Sequence, residues 1–131
     1  MKGTVIVGRL VTGIGQGAHF TRLEWAHRQF VDKLGIDPYP GTINVAVEGE
    51  HAELWAELRA GPGVRIANPD TGEYACDARC YPVSIEERIK GAIVYPEVKG
   101  YAENLIEVIA VEGVRAALGI CDGDAVKLLV E

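Results

Sequence analysis

Nowhere does an apolar run approach the roughly 20 residues that a membrane-spanning helix needs, so no membrane partner is expected. Basic charge is also short: 13 Lys and Arg against 19 Asp and Glu leave a formal net charge of −6. Holding the phosphates of a polymer requires a basic face, which excludes nucleic acid as a general partner. One small phosphorylated ligand, held by backbone N–H groups and a metal ion, stays compatible. Cysteine is sparse too. Cys76, Cys80 and Cys121 cannot all pair, and no tight Cys/His cluster surrounds them as a structural zinc site demands, so they read as reduced thiols. The opening Met1-Lys2-Gly3 runs straight into Val5-Ile6-Val7 without the pattern of a secretion signal, which gives a cytoplasmic expectation.

What is present supports one hydrophobic core. With 131 residues, 48% of them hydrophobic, residues 1–131 are expected to form a single domain. Val5, Val7 and Leu10 to Thr12 read as a strand with a bend or bulge at Gly8. Thr21 and Glu24 have the spacing of a capping box, and Leu23, Ala26, Phe30 and Leu34 form an apolar stripe stopped by Gly35 and Pro38, predicting a helix over 22–34. Ile43, Val45 and Val47 alternate as in a half-buried strand, which points Asn44 away from the core. Leu54, Trp55 and Leu58 predict a second helix ended by Gly61-Pro62-Gly63, with core or surface packing as the reading for Trp55. Val64 to Ala67 and the alternation Tyr74, Cys76, Ala78, Cys80 read as a hairpin around Asn68 to Gly72. Further short apolar runs at Pro82 to Ile85, Ala92 to Tyr95, Leu105 to Ala110 and Ala125 to Val130 favour a small barrel over βαβ units.

Two clusters carry chemistry. Thr12-Gly13-Ile14-Gly15-Gln16-Gly17 packs three glycines into five residues, so backbone amides can approach an anion closely; on the glycines alone, a phosphate cradle and a ligand-free irregular loop are equal readings. Its spacing fits neither a dinucleotide fingerprint, which opens directly into a helix, nor a P-loop, which needs Lys-Ser or Lys-Thr where this chain has Ala18-His19. The second cluster, Pro38 to Asn44, places Thr42 and Asn44 two residues apart on one strand face. A hydroxyl and an amide carbonyl are hard neutral oxygens suited to Mg2+, although taken alone such residues are more often ordinary turn and strand-edge polar residues than ligands.

Taken together, the stretches Gly8 to Leu23, Leu34 to Asn44, Gly91 to Pro96 and Ile106 to Ala110, with Arg115 and Asp122-Gly123-Asp124, resemble the archaeal CTP-dependent riboflavin kinases, in family order and over nearly the whole chain. The resemblance implies a mainly β fold with short helices, a cradle-loop β-barrel, and transfer of the γ-phosphate of CTP to the ribityl 5′-hydroxyl of riboflavin, giving FMN and CDP with Mg2+. It implies that Ile14, Gly15, Gln16, Gly17, Ala18 and His19 embrace the nucleotide phosphates, and that Glu112, Gly113, Val114 and Arg115 line the nucleotide from the other side. Thr42 and Asn44 would bind the metal, and Glu107 would meet the flavin. Glu107 is a candidate base only if its carboxylate reaches the attacking oxygen. After Pro96 the chain departs from the family pattern: Lys99-Gly100-Tyr101 stands where a flavin-contacting Thr followed by an aromatic or His residue is usual. Lys99 thus enters as a substrate-side residue, with Tyr101 as a replacement ring. Two alternatives stay open: the same donor with another small hydroxyl acceptor, or a non-catalytic nucleotide- or flavin-binding module.

Overall fold

Alternating apolar and polar side chains lay down most of the strands of the computed structural model, which describes residues 1–13, 21–70 and 76–131. The strands are β1 (Val5–Val11), β2 (Ile43–Ala46), β3 (Val64–Ile66), β4 (Ala78–Ile85), β5 (Ile89–Pro96), β6 (Leu105–Ala110) and β7 (Ala125–Val130). All their pairings are antiparallel, in the order β3-β4-β5-β6-β2-β1-β7. β7 also returns to β4 through Val83↔Val130, Ser84↔Leu129 and Ile85↔Leu128. That return closes six strands into a barrel, with β3 added along the other half of β4, and so bears out the expected mainly β barrel with short helices.

Pro82 shows how the closure tolerates a residue without an N–H. It lies between the part of β4 paired to β3, Ala78 to Cys80, and the part paired to β7, Val83 to Ile85. Its carbonyl accepts the Glu131 N–H at 3.0 Å, so the missing donor faces this same junction, where neither ladder needs it.

The core has two compartments. Ile6, Leu10, Val45, Val83, Ile93, Ile106, Val108 and Leu128 fill one, with Trp55 of α2 (Gly49–Ala60) meeting the rings of Tyr81 and Tyr95 edge-on at 5.9 and 5.7 Å. Trp55 is therefore a core residue. In the other, Ala26, Phe30 and Ile36 cover Ala78, Cys80, Ala92, Val94 and Ile109 on the opposite face of β4, β5 and β6. Burial on both faces explains why β5 and β6 read as nearly continuous apolar runs. The three cysteines are free thiols, and burial pushes Cys80 up to about 12.

Three expectations need correction. The helix α1 (Glu24–Gln29) starts two residues later than the capping-box reading placed it, because the Leu23 carbonyl accepts the first N–H groups, from Ala26 and His27, and no side chain caps the turn. Glu24 instead pairs forward with Arg28 at 3.0 Å. The helix widens into a π turn, Phe30–Leu34, and stops where expected, with Gly35 left-handed at φ 66°. Gly8 is not a bulge, since it pairs with Val126 in an unbroken β1–β7 ladder, one residue beyond the last β1–β2 pair. A Cβ at Gly8 would sit 2.4 Å from the Ala46 carbonyl and 2.6 Å from Val45 Cγ1, so glycine serves close strand approach. Pro82 to Ile85 is not a strand of its own but the second half of β4. Beyond the last β1–β2 pair, the Val7 N–H donates to His51 Nδ1 at 3.1 Å, a structural use for that histidine. Part of the predicted Asn68 to Gly72 turn lies outside the described residues.

Gly8→Ala should destabilise the fold by about 1–3 kcal/mol, the usual range for overpacking. Urea unfolding of the variant would measure it, and an unchanged midpoint would mean that β1 and β2 separate easily.

Candidate functional site

The site begins at a turn that cannot drift. The Tyr39 N–H donates to the Ala110 carbonyl at 2.7 Å, pinning the Pro38 to Gly41 turn to the end of β6, and Gly41 takes φ 94° before β2 starts. From there the β2–β6 ladder sets the register, with Ile43 opposite Val108 and Asn44 opposite Glu107. Thr42 and Asn44, two apart, fall on the face that also carries Glu107. Thr42 Oγ1 donates to Glu107 Oε2 at 3.1 Å, and the Tyr101 hydroxyl donates to Glu107 Oε1 at 2.6 Å. Glu107 is 0% exposed. Burial, and then the bond to Glu107, push the Tyr101 phenol far above its ordinary range, so it remains a proton donor at any working pH.

Asn44 does point away from the core residues of β2, yet it is buried. What covers it is the start of the glycine loop: a Cβ on Gly13 would lie 2.1 Å from both Cγ and Oδ1 of Asn44. Only glycine fits there. Asn44 Oδ1 is buried without a hydrogen-bond partner among the described residues. An orphaned carbonyl oxygen, a hydroxyl oxygen beside it and a buried carboxylate behind them form a hard-oxygen set, which fits a divalent cation such as Mg2+. Among the described residues no cluster of three or more His, Cys, Asp or Glu side chains exists, so nothing there suits a softer metal better.

Beside this set lies a cavity of about 270 Å³ whose lining includes Thr42 together with Glu112, Gly113, Val114 and Arg115. The structure thus joins two stretches that are 70 residues apart in the chain. Gly113 allows the Tyr39 ring to lie against it, since a Cβ would be 3.1 Å from Tyr39 Cζ. Arg115, at the start of α3 (Val114–Leu118), donates to Asp122 Oδ1 at 2.7 Å, while Thr12 Oγ1 donates to Asp122 Oδ2 at 2.7 Å. The Thr12 hydroxyl, and then Arg115, hold the Asp122 carboxyl below the usual carboxylate range. A folded pKa lowered in this way makes the clasp complete at neutral pH and opens it only as pH falls through that value.

Of the residues singled out from sequence, Thr42 and Glu107 meet directly, Asn44 stands across the ladder from Glu107, and Glu112 to Arg115 line the same cavity as Thr42. Ile14, Gly15, Gln16, Gly17, Ala18 and His19 lie outside the described residues. Lys99 is exposed in the turn between β5 and β6 and makes no hydrogen bond or ion pair with the described residues. Tyr101, two residues on, turns inward and is 8% exposed. Sequence reasoning treated Tyr101 as a ring alone and, though it counted Asp122 in the resemblance, gave it no role in the site. A tyrosine hydroxyl carries no local signal of its partner, and Thr12 with Asp122 is a pairing across 110 residues.

A family model named for CTP-dependent riboflavin kinases, and described as a domain of unknown function, DUF120, matches residues 10–130. The chain belongs to this family. As a CTP-dependent riboflavin kinase family member it is similar to the riboflavin kinase of Methanocella arvoryzae, with 39% identity over 127 residues, 97% of this chain and 57% of the relative. The riboflavin kinase of Pyrobaculum calidifontis is 36% identical over 126 residues, 95% of this chain and 59% of the relative. That of Archaeoglobus fulgidus is 34% identical over 131 residues, 98% of this chain and 56% of the relative. The family member described here therefore spans somewhat over half the length of these curated relatives. No helix among its described residues is long and apolar enough to cross a membrane.

If Asn44 Oδ1 awaits a cation, Asn44→Leu should leave the metal-free protein as stable as the original or more so, since an unsatisfied buried acceptor costs about 1–3 kcal/mol. The same variant should lose any stabilisation by Mg2+ with CDP. Melting curves with and without Mg2+ and CDP check both, and a large loss of metal-free stability would assign Asn44 a structural role instead.

Proposed function

We propose that residues 1–131 work as one cytoplasmic kinase domain that moves the γ-phosphoryl group of CTP onto the ribityl 5′-hydroxyl of riboflavin, releasing CDP and FMN. The observation that carries this reading is the orphaned Asn44 Oδ1, which lies beside Thr42 under the first glycine of the loop and next to the cavity lined by Glu112 to Arg115. Family membership and the names of the relatives point the same way.

In the transfer, the bond from the γ-phosphorus to the bridging oxygen of CDP breaks, a bond to the acceptor oxygen forms, and the hydroxyl proton is released to solvent. Little covalent work is asked of the protein, so positioning and charge neutralisation dominate. Residues 14–19 would hold the phosphates with backbone N–H groups. Arg115, its guanidinium steadied by Asp122, and Glu112 to Val114 would wall the nucleotide. Thr42 and Asn44 would hold the divalent metal, with Mg2+ the choice that suits their oxygens. When bound, that ion supplies neutralisation of the phosphate oxygens. Glu107 would face the acceptor side; a carboxylate has about four lone-pair sites, and two hydroxyls occupy only part of them, so lone pairs remain that a substrate hydroxyl could use.

A second reading keeps the donor and changes the acceptor. It is favoured by Lys99, whose ammonium group is exposed in the turn that precedes Tyr101 and has no partner among the described residues. Incubating the chain with riboflavin, Mg2+ and either CTP or ATP, then resolving the flavins by chromatography, separates the two. FMN is expected with CTP, and Thr42→Ala should slow its formation at least about 100-fold, as loss of a transition-state charge contact does. Stabilisation by CDP without any FMN would replace riboflavin by another small hydroxyl compound.

A further inference from the structure

A fully buried carboxylate ordinarily faces a cation or several N–H donors, because its charge is otherwise costly to keep out of water. Glu107 has neither among the described residues: its partners are two hydroxyls, Thr42 on one oxygen and Tyr101 on the other. The direction of these bonds is informative. A hydroxyl has one proton and two lone pairs. Thr42 gives its proton to Glu107, which leaves its lone pairs free of that bond, and Asn44 Oδ1 on the same strand face ends without a partner among the described residues. Thr42 and Asn44 are neutral oxygen donors, whereas Glu107, directly across the ladder from Asn44, brings a carboxyl group.

We propose that Glu107 is the carboxylate that stands behind the metal site: it draws the Thr42 proton away from the cation, supplies the charge the two neutral ligands lack, and is held in place from its far side by Tyr101. This rests on reading Thr42 and Asn44 as metal ligands. It gives Glu107 a second duty beyond facing the acceptor, and makes Tyr101 a positioning residue for the metal. The arrangement Thr42–Glu107–Tyr101 then couples the two halves of the site through one side chain. The Tyr95 ring packs edge-on against Tyr101 at 5.8 Å and fixes the far end of this series.

Metal binding, measured without turnover, tests this. Mn2+, a paramagnetic substitute for Mg2+, is titrated by electron paramagnetic resonance into the protein saturated with CDP, and CDP affinity is measured separately in the presence of EDTA. Glu107→Gln should weaken Mn2+ binding by about 10–100-fold, the usual effect of removing a partner that orients a metal ligand. Its metal-free CDP affinity should not change. A folded Glu107→Gln protein with the original Mn2+ affinity would overturn the proposal. Should that variant fail to fold, Tyr101→Phe keeps the ring and every ligand; a several-fold weaker Mn2+ affinity is expected, and an unchanged one overturns the proposal equally. No Mn2+ binding by the unaltered chain would overturn the metal reading of Thr42 and Asn44 itself, a different failure from a site that binds Mn2+ but ignores Glu107.

Discussion

The pairing of β2 with β6 is the constraint on which the rest depends. Four consecutive register pairs, from Ile43↔Val108 to Ala46↔Leu105, fix the height of Asn44 against Glu107, and through it the reach of Thr42 to the same carboxylate. A slip of one residue would turn Glu107 to the other face of the sheet and leave its charge among aliphatic side chains. Fold and site are here one condition: the same backbone hydrogen bonds that close the barrel wall also bring a hydroxyl, an amide and a carboxylate from distant segments onto one face.

That face is expensive to maintain. Glu107 is enclosed, and Asn44 Oδ1 is enclosed and unsatisfied among the described residues, in a domain whose total stability is expected to be only about 5–15 kcal/mol. The two apolar compartments on either side of β4, β5 and β6 offset such costs, since each of these strands buries side chains in both directions. Gly8 and Gly13 work toward the same end from opposite ends of one segment, the first letting β1 press on β2 and the second letting the loop lie on Asn44.

Much of this was legible in the residues. Alternation located β2, short apolar runs located β5, β6 and β7, and the Thr42/Asn44 spacing placed both on one face, because side-chain direction along a strand is a local property. The start of α1 was misplaced because the packing of Leu23 into the outer compartment decides it, and a capping pattern cannot report that. Burial of Asn44 was equally invisible: its cover is a glycine 31 positions earlier, and alternation reports which side a residue faces, not what lies over it. Tyr101 and Asp122 belong to the same class, since each earns its place through a hydrogen bond to a partner that no local pattern names.

The return of β7 to β4 has a bearing on how copies of this protein come to exist. Until Ala125 to Val130 is in place, β1 has a bare edge along Val5 to Arg9, and β4 has another along Val83 to Ile85. Bare edges of this kind invite pairing with other chains. β7 is thus the strand that separates a closed barrel from an open sheet with two bare edges, and that difference is decided at a place remote from any chemistry the barrel performs.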